Sequence, residues 1–337
     1  MASGINRMHI CMVMAGNEEG GLEKHVVELS NGLKHRGHQL TLIAHEKYQS
    51  RVDTDFIAVD LTKSRRNPFT LYHLYKVIKK LQPDIIHVHG NKAAAMVGSI
   101  LPYLGIPSIA TLHSRKKNTK MFKNFNTVLA VSPNAAEVLK HSNVHIVLNG
   151  IQPPVLDKNI KKNQPPMVLA VGRLVPVKGF DVLLNAWQKV QGAELWVVGD
   201  GFEEQKLKDL INQLNLTDSV KMLGFRDDVL HLMQQASLYV MSSHYEGCPY
   251  TMVEALLCEV PMVSTAVGAM TMVLPQKNLT PVNDVEALAK SINRCLADLN
   301  QAALDCCEAF AYAKQYLVID GMISEIEKAY QKTIRPE

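Results

Sequence analysis

The sequence predicts an α/β protein built from two doubly wound domains, each a parallel sheet with helices on both faces. Three observations lead there. Short continuous apolar runs such as MHICMVMA at residues 8–15 alternate with amphipathic helical patterns along most of the chain. Strands that are apolar throughout are those buried on both faces, as in parallel sheets. A polar stretch bracketed by Pro153, Pro154, Pro165 and Pro166 interrupts the alternation once, and its composition is that of a linker. Finally, 337 residues with 47% hydrophobic and 20% charged side chains suffice for two cores and argue against disorder.

Taken in order, a strand over residues 8–15 leads into a glycine-rich loop and an amphipathic helix within residues 20–37, with Leu22, Val26, Leu29 and Leu33 on one face. A strand follows at 39–44, then a helix at 69–81, a strand at 84–89, a helix at 93–104, and strands at 107–112 and 127–131. A helix at 134–141 and a strand at 144–148 complete an N-terminal domain of residues 1–152. After the linker, 153–166, the rhythm restarts. Strands are expected at 167–172, 194–199, 220–223, 238–242 and 261–265. The intervening helices lie at 180–190, 203–214, 229–235 and 250–258. The second domain runs from 167 to 310, and helices over 285–299 and 301–332 close the chain. Doubly wound domains bind ligands beyond the carboxyl ends of their strands, so a cleft faced by both domains is the expected site.

Charge is uneven. Residues 1–152 hold 19 Lys and Arg against 10 Asp and Glu, whereas the remainder holds 17 against 22. A basic first half suits an anionic glycan, glycolipid or membrane face. No recognised nucleic-acid-binding motif accompanies the charge, so no nucleic acid is expected. The six cysteines form no CxxC spacing and read as small buried side chains of a reducing compartment. No run of about 18 apolar residues exists, and no signal-peptide core precedes Gly16. Residues 1–4 read as an appended stretch, with Met8 as the natural start. A cytoplasmic location is expected, with peripheral contact at the inner membrane face.

Several constellations carry chemistry. Gly16, Gly20 and Gly21 lie between the first strand and helix, where backbone can approach an anion closely, although the spacing is not that of a dinucleotide fingerprint. Arg173 and Lys178 lie on a glycine-bounded loop, GRLVPVKG, at a strand end. There one can grip phosphate oxygens bidentately while the other acts as a point charge. Glu246 precedes a helix and Glu254 lies about one turn inside it. The amides near Tyr250, Thr251 and Met252 point toward an anion. His87 and His89 share one face of a strand, and His113 ends another, but no third ligand sits at diagnostic spacing, so no metal is expected. Arg65 and Arg66, then Arg115, Lys116, Lys117 and Lys120, form two basic runs in the first half.

Together these residues resemble the retaining glycosyltransferases of the GT-B fold, the fourth sequence family, of the type that builds lipopolysaccharide and envelope glycans. The resemblance spans nearly the whole chain. It rests on Gly20-Gly21, DIIHVHG at residues 84–90, Thr111-Leu112-His113, Gly172-Arg173 with Lys178-Gly179, Gly224-Phe225, and the spacing of Glu246 to Glu254. It implies that two Rossmann-like domains face each other across a cleft. It also implies transfer of a hexose-type sugar from a nucleotide diphosphate, with UDP the expected nucleotide, onto a glycan or glycolipid. Arg173 and Lys178 would neutralise the diphosphate. Glu246 would meet the sugar hydroxyls, and the amides near Tyr250, Thr251 and Met252 the phosphate. Glu254 would bind the ribose diol, and the backbone at Phe225 and Arg226 would border the base. Gly20 and Gly21 would lie against phosphate or acceptor, and His113 beside the reacting centre. No metal or other cofactor is implied, and the C-terminal helix, residues 311–337, would return toward the first domain. One departure is the Cys248-Pro249-Tyr250 segment, where the family usually has glycine, although related enzymes carry proline too, and Pro249 supplies no N–H. Other function classes consistent with the residues are a GT-B-like nucleotide-sugar epimerase and a catalytically silent sugar-nucleotide-binding scaffold.

Overall fold

The computed structural model describes residues 7–16, 20–115, 117–157 and 159–335. Residues 1–4, Asn17, Glu18 and Glu19 of the first glycine loop, and Lys116 of the basic run lie outside the described residues. Backbone contacts divide the chain into two compact units, Met1–Gly150 with Ile319–Glu337, and Ile151–Val318.

The first unit contains β1 (His9–Met14), α1 (Gly21–His35), β2 (Gln39–Ala44), β3 (Asp55–Ala58), α2 (Pro68–Leu81), β4 (Ile85–His89), α3 (Asn91–Ile100), β5 (Ser108–Leu112), β6 (Thr127–Ala130), α4 (Pro133–Ala136) and β7 (Val144–Ile146). The second contains β8 (Met167–Val171), α5 (Phe180–Trp187), β9 (Glu194–Val198), α6 (Glu204–Gln213), β10 (Val220–Met222), α7 (Val229–Gln235), β11 (Leu238–Met241), α8 (Tyr250–Leu257), β12 (Met262–Thr265), α9 (Met270–Val273), β13 (Leu279–Thr280), α10 (Val285–Ala297), α11 (Leu299–Asp305) and α12 (Cys307–Tyr316). The closing helix α13 (Ile319–Ile334) belongs to the first unit.

Both sheets are parallel. Their orders are β3-β2-β1-β4-β5-β6-β7 and β10-β9-β8-β11-β12-β13. In each, the chain winds outward from the first strand to one edge and then jumps back to continue on the other side. The switch points therefore fall between β1 and β4 and between β8 and β11. At such a point the loops after the two central strands diverge and leave a crevice at their carboxyl ends.

The first sheet is covered on both faces. Cys11, Val13, Ile86 and Val88 pack with α2 and α3 on one side. On the other, Ile10, Met12 and Met14 pack with α1 and α13, so successive β1 residues divide between two cores as strand pleating requires. Ile319, Met322, Ile323, Ile326, Ala329 and Tyr330 of α13 are buried in that second core. Polar anchors fix the register of α13. Buried Glu327 accepts from Arg36 Nη1 at 3.2 Å and lies 3.0 Å from His38 Nε2, while Thr333 Oγ1 lies 2.7 Å from Thr127 Oγ1. A buried carboxylate tolerates desolvation only with such partners. In the second unit one cluster joins Val168, Ala170 and Val240 of the central strands to Phe180, Leu183 and Trp187 of α5 and Leu288 and Ile292 of α10.

The structure departs from the sequence reading at several elements. Residues 301–332, expected as one helix, are divided among α11, α12 and α13. The Asp298 side chain caps α11 by accepting from the Gln301 amide at 2.9 Å. Before α13 the chain extends to bridge Val318 to Ile151. Strands β3 and β13 are absent from the sequence reading: β3 is a half-exposed edge strand and β13 has two residues, so neither carries a clear apolar signature. Finally, the helix expected over 134–141 is only the four-residue α4.

Candidate functional site

At the second unit's switch point the residues singled out from sequence meet. The loop after β8 carries Arg173 and Lys178, and the loop after β11 carries Glu246. Lys178 Nζ donates to Glu246 Oε1 at 2.6 Å. Ser243 Oγ donates to the same oxygen at 2.7 Å. Glu246 is only 9% exposed, so its charge is held by these two donors rather than by bulk water. Arg173, by contrast, is exposed.

Two glycines hold the loops this close. Gly179 adopts φ 61°, and a Cβ there would overlap the Ser242 carbonyl. Gly268 adopts φ 56°, and a Cβ there would overlap the carbonyl oxygen of Gly247. Both need the left-handed region and the missing side chain together. Hydrogen bonds lock the approach: Ser242 Oγ donates to the Lys178 carbonyl at 3.1 Å, the His244 amide to Val177 at 2.9 Å, and the Ala269 amide to Gly247 at 2.8 Å.

Helix α8 starts at Tyr250 with Pro249 as its N-cap and no side-chain cap. Met252 N–H turns back to the Pro249 carbonyl at 3.2 Å, and the amides of Tyr250 and Thr251 belong to the same first turn, which has no side-chain cap. The uncapped turn offers N–H groups and a partial positive charge to an anion. Buried Tyr239, the second residue of β11, ties this helix to the sheet. It hydrogen-bonds the Thr251 side chain, and burial, with the nearby charges of Glu246 and Glu254 adding to it, pushes its hydroxyl pKa up. Glu254 lies half-buried on α8. Phe225 is 72% exposed, and Arg226 beside it forms a two-point ion pair with Asp228, at 2.8 and 2.6 Å.

In the first unit, His89 and His113 come together at the carboxyl ends of β4 and β5, His89 Nδ1 lying 3.2 Å from His113 Nε2. The sequence pointed to no third partner, but the fold brings one from α1: the His25 ring lies 4.8 Å from that of His113 and 5.3 Å from that of His89. One nitrogen from each of these three rings lies within 4.8 Å of the other two. His87 is not part of the group. Its Nδ1 lies 2.7 Å from Tyr330 Oη and its Nε2 2.7 Å from Thr111 Oγ1. Burial lowers the His25 pKa to about 4, opposed by a hydrogen bond with Asn149, and lowers His87 to about 3 with help from His25. Burial foremost, then neighbouring imidazoles, hold His89 and His113 well below the usual range. All four rings are thus neutral near pH 7.

Arg65, Arg66 and Lys120 line one cavity of about 410 Å³ with Ser99, Asn118 and Met121, although two separate sequence runs supply them. Arg115 and Lys117 are exposed elsewhere on the same loop. Gly20 and Gly21 open α1, with Gly20 as its N-cap. The sequence reading missed His25 and Ser243. His25 lies 64 positions from His89 in sequence, and Ser243 carries no periodic signal.

The family model "Glycosyl transferases group 1" matches residues 152–310, and "Glycosyltransferase Family 4" matches residues 19–153. The lipopolysaccharide core biosynthesis glycosyltransferase LpsE of Rhizobium meliloti (strain 1021) is 26% identical over 302 residues, 83% of this chain and 87% of that protein. The phosphatidylinositol N-acetylglucosaminyltransferase GPI3 subunit of Saccharomyces cerevisiae (strain YJM789) is 26% identical over 328 residues, 81% of this chain and 72% of that one. Among solved structures, Anabaena HepE in complex with UDP and glucose is similar with a TM-score of 0.79 at 19% identity, covering 97% of this chain and 100% of that chain.

Proposed function

Because this chain belongs to the group 1 glycosyltransferases and carries their two-domain GT-B fold, we propose that it is a retaining, metal-independent hexosyltransferase. Its donor is a UDP-sugar and its acceptor an anionic glycan or glycolipid of the lipopolysaccharide type. The observation that carries this reading is the Lys178–Glu246 pair beside the uncapped start of α8. A diphosphate leaving group gains charge as the anomeric C–O bond breaks. Lys178, Arg173 and the Tyr250 and Thr251 amides supply fixed positive potential for that charge without a cation. Glu246 serves the sugar hydroxyls and Glu254 the ribose diol. The acceptor oxygen bonds the anomeric carbon on the face the phosphate leaves, and its proton passes to the departing phosphate oxygen. His113 is neutral and acts as a hydrogen-bond partner of the sugar rather than as a cation. One relative is named for lipopolysaccharide core biosynthesis and the other as a phosphatidylinositol N-acetylglucosaminyltransferase subunit, and the HepE complex holds UDP, which supports a UDP-sugar donor and a lipid-linked acceptor.

A ligand that binds only the folded state raises stability by mass action, by about 2.7 kcal/mol at a hundredfold excess over Kd. A thermal-shift screen of UDP-, GDP- and ADP-sugars without metal therefore tests the donor. The expected result is a shift with UDP compounds that Arg173→Ala reduces, and NMR of the product shows the donor's anomeric configuration. A shift confined to GDP or ADP sugars, or an inverted product, would overturn the corresponding part of the proposal.

The same proposal places the first unit on an anionic membrane face. No helix of the described residues is long and apolar enough to cross a membrane. Phe69, Tyr72 and Tyr103 are 84%, 61% and 73% exposed. Tyr72 and Tyr103 line a groove that shares Leu71 with the cavity of Arg65, Arg66 and Lys120. Aromatic rings at headgroup depth beside basic side chains suit an anionic lipid surface. Each cation contributes about 1 kcal/mol there. Arg65→Gln with Arg66→Gln is therefore expected to weaken binding to phosphatidylglycerol vesicles roughly 30-fold. Equal sedimentation of the wild-type chain with neutral and anionic vesicles would remove the membrane from the proposal.

A further inference from the structure

The three imidazoles at the end of the first sheet are arranged as a ligand set. His89 Nδ1 and His113 Nε2 are 3.2 Å apart. Two nitrogens on a tetrahedral zinc, with bonds of about 2.0–2.1 Å, are separated by about 3.3 Å. His25 approaches from α1 on the remaining side, and the three ligand nitrogens lie within 4.8 Å of one another, so a modest ring movement that draws them to about 3.3 Å would complete a tetrahedral face. As a packed polar core the cluster is poorly satisfied. The His89 ring has one hydrogen-bond contact among the described residues, Nδ1 with His113 Nε2, and its buried Nε2 has none, so a cation taken at Nδ1 would displace no other hydrogen-bond partner of that ring.

The surroundings are those of a supported site. The His87 ring lies 4.1 Å from that of His89 and is itself fixed by Tyr330 and Thr111. A ring held in this way limits rotation of the His89 ring by packing. His113 is half-buried while His25 and His89 are buried, so solvent reaches the cluster from one side and leaves an entry path. The donor set is three nitrogens, with no carboxylate or thiolate. It selects borderline divalent ions such as Zn²⁺, Co²⁺ or Ni²⁺ over Mg²⁺ and Ca²⁺, which require oxygen.

We infer that His25, His89 and His113 form a binding site for a borderline divalent transition-metal cation, Zn²⁺ above all, with a fourth position left to water. This cation is no part of the transfer chemistry, which uses Lys178, Arg173 and α8 for charge. Occupancy engages His113, so metal-bound enzyme does not turn over; that consequence alone rests on the role proposed for His113.

The test uses the full chain, freed of metal by chelation and titrated with Co²⁺ in the absence of nucleotide sugar. The expected result is one Co²⁺ per chain, with the intense visible bands of a four- or five-coordinate nitrogen site, bleached by equimolar Zn²⁺. His25→Gln and His89→Gln, each checked for native near-UV circular dichroism, weaken Co²⁺ binding at least tenfold, whereas exposed His73→Gln leaves it unchanged. Absence of the visible bands at one equivalent overturns the site. So does unchanged affinity in both folded variants, which would mark the ion as adventitious. Full turnover by Zn²⁺-loaded enzyme would overturn the mutual exclusion and leave the site standing.

Discussion

Lys178→Ala yields a folded protein whose sugar transfer is at least 10²–10³-fold slower, the loss that accompanies removal of one preorganised donor from a developing anion. Lys178 is the group best placed for this role. Its ammonium is fixed 2.6 Å from Glu246 Oε1 by a loop that Gly179 presses against β11, so no reorganisation is required when charge develops. The variant keeps its fold because the side chain is partly exposed and packs no core. The cost falls instead on Glu246, left with Ser243 as its one remaining side-chain donor among the described residues. Lys178→Arg is expected to restore charge but not position, since the planar fork cannot occupy the same point. Single-turnover assays separate the effects: a loss confined to KM would mean that Lys178 binds ground state and transition state alike. Turnover within a few-fold of wild type would remove Lys178 from the mechanism.

The second large effect is acid lability of the first unit. His25 and His87 have pKa values lowered to about 4 and about 3 from an ordinary 6.5, and His89 and His113 are lowered as well. Between about pH 6.5 and 4 the unfolded chain therefore binds more protons than the native one, and stability falls as pH falls. Burial of His25 alone removes about 3 kcal/mol by pH 4, since each tenfold loss of proton affinity on folding is worth about 1.4 kcal/mol. The other rings titrate together with it, so their effects do not simply add. Urea unfolding of the chelator-treated, metal-free chain at half-unit steps from pH 7.5 to 5 isolates these groups from the carboxylates, which titrate lower. Stability is expected to be flat above pH 7 and to decline below 6.5. His87→Gln keeps a hydrogen-bonding side chain toward Tyr330 and should lessen the slope by up to one proton. A flat profile down to pH 5 would show that the rings are solvated rather than buried.

Much of this protein was legible in its sequence. Apolar runs of five or six residues separated by amphipathic stretches can be satisfied only by a sheet covered on both faces, which sets the α/β class and the place of nearly every long element. GRLVPVKG and the Glu246–Glu254 spacing marked the anion site, because glycines flanking cations at a strand end have a local backbone reason to be there. Short-range order of this kind is written in neighbouring residues, where propensity, capping and patterning act.

Neighbouring residues alone therefore set the class of fold, most strands of the two sheets and the loops that carry charge. Which distant residues share a site was set by the folding of the whole chain. It set Ser243 beside Glu246, closed one basic cavity from Arg65, Arg66 and Lys120, and divided the histidines. His87 went to Tyr330 of the returning α13, while His25 joined His89 and His113. The physical reason is that parallel strands bring together residues separated by a whole crossover. Such proximity follows from strand order and helix packing, which no local spacing in the chain records.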